Sequence, residues 1–256
     1  VKCVKQNQKT IKIDFEDGNS EEIDYLVVSD GIYSQTKSII EKRAYNSSYH
    51  GSLAIRTVVL SQQIIDFNRK NISLLMSSNA HMVLYPINEK EHNLVTIIRS
   101  ESKNFLNNKN LNYIKTILKN GILKKNNNLK SLFNGEVSYW PIHSSKDPIK
   151  SKLKNVFYLG DAFYAFPPTM AQGASQSIEG AMEIFQIFEK DSVHEQNLYF
   201  ANRLSRTKIV KTRSQVNYFA FHLSNKILII LRNLILKKII KNKKFTESYL
   251  GKIFRK

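Results

Sequence analysis

Two short stretches of this sequence place a carboxylate on a tight turn directly after an apolar run, an arrangement that can grip a polar ligand. In the longer one, NVFYLGDAFYAFPPTMAQGASQSIEGAMEIFQIF from Asn155 to Phe188, residues Val156, Phe157, Tyr158 and Leu159 read as a short buried strand. Gly160 then permits close backbone approach and Asp161 supplies a hydrogen-bond acceptor. Pro167 and Pro168 stiffen the next loop. From Gln172 to about Phe188 a helix is expected, because Ile178, Ala181, Met182, Phe185 and Phe188 recur at helical spacing. Its start at Gln172, Gly173 and Ala174 would offer free backbone N–H groups and partial positive charge to an electron-rich ligand. The shorter stretch repeats the logic: Leu26-Val27-Val28, then Asp30-Gly31, then a short helix near Ser38-Ile39-Ile40. One such dipeptide is more often a plain turn than a site. The long ordered string, found together with the second, carries the weight.

That string resembles the second FAD-binding motif of the flavin-dependent aromatic hydroxylases (single-component monooxygenases): a strand, GDA, a Pro loop, GQG and a helix carrying E-D-A. SDGIYSQTKSII resembles the family's middle motif, strand-x-x-D-G-x-x-S-x-x-R, with Ser34 in place and Lys37 where Arg is usual. The resemblance implies Asp161 on the flavin ribityl chain. Gln172, Gly173 and Ala174 would lie near the pyrimidine edge, with Gly160 and Pro168 shaping the loop, and Asp30-Gly31 would pack by the pyrophosphate region. Departures are Phe163-Tyr164 for Ala-His, Ala171 for Gly, and Gly180 for the acidic residue of E-D-A. The implied activity is hydroxylation of a small aromatic or quinone-precursor substrate with NAD(P)H and O2, through a C4a-hydroperoxyflavin. The cofactor carries the redox chemistry, so no catalytic acid or base need be visible in the sequence.

Around these motifs the expected fold is α/β (α+β). Residues 1–44 are expected to belong to an FAD-binding domain, 45–150 to an inserted, mainly antiparallel β-sheet substrate domain, 151–196 again to the FAD-binding domain, and 197–256 to basic C-terminal helices. Strands are expected at Val1–Val4, Thr10–Phe15 and Ile23–Val28, with Asp17-Gly18-Asn19 as a turn. Further strands are expected at Leu53–Leu60, Ile72–Met76, His81–Tyr85, Leu94–Ile98 and from Trp140. Between them, Asn104–Leu132 reads as weakly helical, with Tyr113, Ile114, Ile117 and Leu118 as a buried stripe. HMVLYPINEKEHNLVTII resembles the family's substrate-domain hairpin, and Arg56, His81, Tyr85 and Phe166 are the candidates for lining an aromatic pocket. The dinucleotide string G-x-G-x-x-G of a βαβ unit is absent. The expectation is therefore the C-terminal two-thirds of such an enzyme, incomplete at its N-terminus and weak in its hold on FAD.

A net charge of +18 over 256 residues suggests an acidic partner, but residues 201–256 hold 15 of the 39 lysines and arginines and a single acid, Glu247. The charge belongs to the tail. The aromatics there are not interleaved with the cations, so nucleic acid is not expected as a partner. Ile227 to Leu231 is apolar all round between Lys226 and Arg232, which suits either a helix packed on the protein or a basic helix lying on an anionic membrane. No 18-residue apolar run is present. One cysteine, Cys3, precludes an internal disulfide and makes the cytoplasm the default compartment, with the inner membrane face as an option. His50, His92 and His143 lack metal-ligand spacing, and no metal or covalent nucleophile is expected. The alternative to an enzyme is a non-catalytic remnant or membrane-associated accessory protein that does not bind FAD.

Overall fold

The computed structural model describes residues 1–44, 47–65, 67–100, 116, 118, 131–133, 135–190 and 195–254. The chain divides into two compact units, Val1–Ser48 with His143–Gln215, and Tyr49–Ile142 with Val216–Lys256.

In the first unit, β1 (Cys3–Asn7), β2 (Thr10–Asp14) and β3 (Ser20–Ile23) form an antiparallel meander. Its second turn closes where Gly18 takes φ +91° and Asp17 Oδ1 accepts from the Asn19 N–H at 3.0 Å. The strand expected over Ile23–Val28 is two strands in two sheets. After Ile23 the chain leaves the meander, and the Leu26 N–H donates to Asn155 O at 2.9 Å. This starts β4 (Leu26–Val28), which runs parallel to β10 (Val156–Tyr158) with Leu26 opposite Val156 and Val28 opposite Tyr158. Alternation along β10 feeds two cores. Val156 and Tyr158 pack with Ile11, Ile13, Val28 and Ile40, whereas Phe157 packs with Ile184, Ile187 and Tyr199.

Three helices complete this unit: α1 (Gln35–Glu41), the single turn α2 (Asp161–Tyr164) and α3 (Gly173–Glu189). A fourth, α4 (Gln196–Phe221), contributes its residues to Gln215 here and those from Val216 to the second unit. On α3 the buried positions are Gln176, Gly180, Ile184 and Ile187. Most of the apolar stripe that marked this helix in the sequence points the other way, with Ile178, Met182 and Phe185 more than half exposed, and only its last residue, Phe188, packs on the core.

The second unit is built on a five-stranded sheet in the order β6-β7-β8-β5-β9. The strands are β5 (Ser48–Leu60), β6 (Ser73–Ser77), β7 (Ala80–Pro86), β8 (Glu91–Arg99) and β9 (Ser138–Ser144). The pairs β6·β7, β7·β8 and β5·β8 are antiparallel. β7 and β8 join through the expected Asn88 turn, where Asn88 Oδ1 accepts from the N–H groups of Lys90 and Glu91. One sheet face carries Leu53, Ile55, Met82, Leu84 and Leu94 into a core completed by Leu118, Leu132 and Phe133. Leu118 is thus buried, while Tyr113, Ile114 and Ile117 lie outside the described residues. The chain ends in α5 (Lys226–Ile240) and α6 (Lys243–Phe254).

Candidate functional site

Parallel strands end at the same edge of a sheet, so pairing β4 with β10 carries both carboxylate turns to one place, the position where open α/β sheets bind ligands. Asp30 follows β4 and Asp161 follows β10. Gly31 takes φ +84°, which a side-chain-bearing residue rarely adopts, and turns the chain so that its carbonyl accepts from the Ser34 N–H at 3.1 Å. Asp30 Oδ2 accepts from the Thr36 N–H at 3.2 Å, and Ser34 caps α1 by accepting from the Lys37 N–H at 3.0 Å. The Asp30 carboxylate therefore holds the start of α1.

Lys37, at 5% exposure, ties the two motifs together. Its ammonium donates to Ala162 O at 2.8 Å and stands 5.3 Å above the Tyr158 ring. Burial is the main reason that its pKa is pushed down to about 8, with Glu41 and Asp30 opposing the shift. The neighbouring recess, of about 360 Å³, is lined by Ser34, Lys37, Arg43, Lys146, Asp147 and Asp161.

Gly160 takes φ +61°, and a Cβ there would lie 2.9 Å from Ser177 Oγ, so the turn sits directly on the first coils of α3. Asp161 opens to water at the mouth of the recess, yet the surrounding protein removes enough solvent to raise its carboxyl pKa from its ordinary value. Among the described residues this carboxylate has no hydrogen-bond partner. Pro168 starts a 3-10 turn to Met170, and Ala171, with φ +51°, occupies the left-handed conformation where the family pattern has Gly. Gln172 is the N-cap of α3, but its side chain makes no capping bond, and its buried Oε1 is without a partner. The first backbone bond of α3 runs from the Gln176 N–H to Gln172 O at 2.9 Å. The preceding N–H groups of Gly173, Ala174 and Ser175 are left as helix-end donors. A Cβ on Gly173 would meet nothing within 4 Å. Open donors, an orphaned acceptor and a carboxylate without a partner suit a flat, electron-rich ligand bearing hydroxyls.

The orientation of α3 depends on a residue that lies on neither motif. Arg203 of α4 is 2% exposed. It grips Glu183 through Nη2 at 2.7 Å and Nε at 3.0 Å, reaches Glu179 at 3.4 Å, and donates to Gln176 O at 3.3 Å. The one-turn spacing of Glu179 and Glu183 was the available sequence signal. Gly180 explains itself here: a Cβ would lie 2.8 Å from Leu159 Cδ1 and 3.5 Å from both Arg203 Cδ and Tyr199 Oη. The family's acidic side chain does not fit this packing.

In the second unit, strand alternation puts Arg56, His81 and Tyr85 on one sheet face. Arg56 Nε donates to Asn93 Oδ1 at 2.6 Å and Asn93 Nδ2 donates to Tyr85 Oη at 2.5 Å, so Asn93, missed in the sequence, joins two of the candidates. Trp140, also missed, shares this face with Ile142 and is 44% exposed. His81 is engaged differently. It is 2% exposed, with Nδ1 2.7 Å from His222 Nε2. Burial, then the neighbouring His222, pushes His81 down to about 3; burial, then Arg99 and His50, pushes His222 down to about 4. Phe166 belongs to the first unit, half-buried against its core. Among the described residues no group of three His, Cys, Asp or Glu could hold a metal ion.

No protein-family model matches the sequence. The chain is 24% identical over 225 residues to the 6-hydroxynicotinate 3-monooxygenase of Bordetella bronchiseptica, covering 84% of this chain and 58% of that protein. Klebsiella pneumoniae HpxO, solved with FAD and uric acid, superposes with a TM-score of 0.77 at 16% identity over 97% of this chain and 66% of its own. A salicylate hydroxylase substrate complex gives 0.75 at 16% identity, over 94% and 66%. The chain thus spans 58% of the curated relative and about two thirds of these solved structures. Its fold is that of the FAD-dependent aromatic hydroxylases, the family that the two motifs resemble.

Proposed function

We propose that this chain carries the flavin-contacting and substrate-contacting parts of an FAD-dependent monooxygenase that uses NAD(P)H and O2 to hydroxylate a small aromatic or quinone-precursor substrate. One observation carries the reading: the parallel β4·β10 pair sets Asp161 beside the open N-terminus of α3, with Ser34 and Lys37, which follow the first strand's turn, lining the recess at Asp161. Bound there, FAD would supply electron uptake from NAD(P)H and activation of O2.

The chain's own residues bind and orient. Asp161 accepts hydrogen bonds from ribityl hydroxyls. The N–H groups of Gly173, Ala174 and Ser175 donate to an electron-rich ring edge, where the positive end of a 17-residue helix favours negative charge. Gln172 brings an oxygen that needs a donor, and Gly160 and Pro168 hold the loop between them. Asp30 and Gly31 act through α1, keeping Lys37 beside the turn. In the second unit, Arg56, Asn93 and Tyr85 form a donor set for a polar substituent on an aromatic ring, with Trp140 as an apolar wall. A quinone-precursor substrate at a lipid surface is the variant that suits a membrane-seeking tail.

The test is FAD titration of the purified chain, followed by flavin fluorescence. A hydrogen-bonded charge is worth about 1.5–3 kcal/mol, so Asp161→Ala should weaken binding by roughly 10- to 100-fold. Equal affinity in the two proteins would refute the assignment of Asp161, and an absence of flavin binding in both even at saturating FAD concentration would remove the reading.

A further inference from the structure

α5 is built inside out. Its apolar residues at i, i+3, i+4, i+7 and i+8, namely Ile227, Ile230, Leu231, Leu234 and Ile235, make the stripe that ordinarily faces a core. Here all five are exposed, from 47% for Ile235 to 75% for Ile227. The half-buried side of the same helix is Ile229, Arg232, Leu236 and Ile239. Arg232 is held there by its bond to Ala220 O at 2.9 Å. Lys226, Lys237 and Lys238 border or interrupt the exposed stripe, and Lys241, Lys243 and Lys244 follow it.

We propose that α5 docks on an anionic membrane surface, lying in the plane of the lipid headgroups with the Ile227–Leu234 stripe submerged. Charge selects this occupant. Between Gln196 and Thr246 the chain has no Asp or Glu, so α5 paired with α5 of a second copy would set lysines against lysines with no acid to neutralise them. Anionic lipid supplies the missing charge, and lysine stems let the ammonium groups reach it while the stripe stays buried. Length selects the orientation. Fifteen residues extend about 22 Å, short of a bilayer's hydrocarbon core. Among the described residues no helix is long and apolar enough to cross a membrane. On α6, which follows α5, the half-exposed Phe245 is stacked on Tyr249 with centroids 5.6 Å apart. This inference is independent of flavin binding.

The experiment is co-sedimentation of the full chain with phosphatidylcholine vesicles, with and without about 30% phosphatidylserine. Binding to the anionic vesicles should exceed binding to neutral ones at least tenfold. Lys237→Gln with Lys238→Gln should cost roughly 30-fold, at about fivefold per surface cation. Ile227→Ser with Leu234→Ser should remove binding while circular dichroism stays unchanged, since both side chains are exposed. Equal binding to the two vesicle types, or undiminished binding by the serine variant, would overturn the proposal. So would a lipid-free dimer in sedimentation equilibrium that the serine variant dissociates, because α5 would then be a self-association surface.

Discussion

Arg203→Met removes the cation that fixes α3 while nearly keeping its volume. The wild-type side chain is 3% exposed and meets side chains only 15% (Glu183) and 25% (Glu179) exposed. Glu179 keeps a second partner in Arg206 at 3.5 Å, so the loss falls on Glu183, which gives up two bonds of 2.7 and 3.0 Å. Breaking a buried pair from one side costs about 3–5 kcal/mol, because a desolvated charge is left behind. Glu183 still reaches some water, which places the expected loss near about 3 kcal/mol. At roughly 2–4 °C per kcal/mol for a chain of this size, the melting temperature should fall by roughly 6–12 °C. Urea denaturation followed by circular dichroism measures the free energy directly. Arg203→Met with Glu183→Leu should recover at least half of the loss, since replacing both charges leaves neither unpaired. A single-variant loss below about 1 kcal/mol, or a double variant no more stable than the single, would refute the pairing as the support of α3.

Two further outcomes follow from buried groups. His81 and His222 stay neutral in the fold down to about pH 3 and 4, whereas in the unfolded chain they take up protons from about 6.5 downward. Stability from these rings is fully present above about pH 7 and falls with acid, by about 2 kcal/mol per ring at pH 5. The urea midpoint at pH 5 should lie clearly below that at pH 7.5, and His81→Gln should reduce the difference by roughly half, since His222 still titrates; a pH-independent midpoint in the wild type would contradict the linkage. Gly180→Asp should destabilise by more than Gly180→Ala, which itself costs about 1 kcal/mol net. The alanine exchanges a helix-propensity gain for a 2.8 Å contact with Leu159, and the aspartate adds a third carboxylate to an arginine already paired twice. A Gly180→Asp protein as stable as wild type, read by thermal melting, would mean that Leu159 yields freely.

What was legible in the sequence was local. Gly160-Asp161 and Asp30-Gly31 announce tight turns after apolar runs because turn chemistry is written in adjacent residues. The antiparallel strands from Leu53 to Ile98 read as apolar, β-favouring runs because the sheet buries residues on both faces, Met82 and Leu94 on one and Ala54 and Ile97 on the other. Periodicity failed where it had to choose a side. It places a helix from Gln172 to about Phe188, close to the observed Gly173–Glu189, but the apolar scale favours Ile178, Met182 and Phe185, whereas the packed side holds Gly180 and Gln176. Close approach selects a residue with no side chain, and a buried arginine selects polar partners. Neither scores as core. Ile23–Val28 read as one strand for a related reason: the bond from the Leu26 N–H to Asn155 O redirects the chain, and its partner is remote in sequence.

The consequence reaches the site. The donors that the flavin reading uses stand at Gly173 and Ala174, on the motif, but their direction is set by Arg203, which lies on no motif. Glu179 and Glu183 hold α3 to α4, Gly180 lets Leu159 approach, and Ser177 fills the space that Gly160 leaves open. The turn and the helix start are thus locked to one another by packing on the side of α3 opposite its apolar stripe. Substitutions at Gly180 or Arg203 should therefore alter flavin affinity together with stability, whereas Asp161→Ala should alter affinity alone.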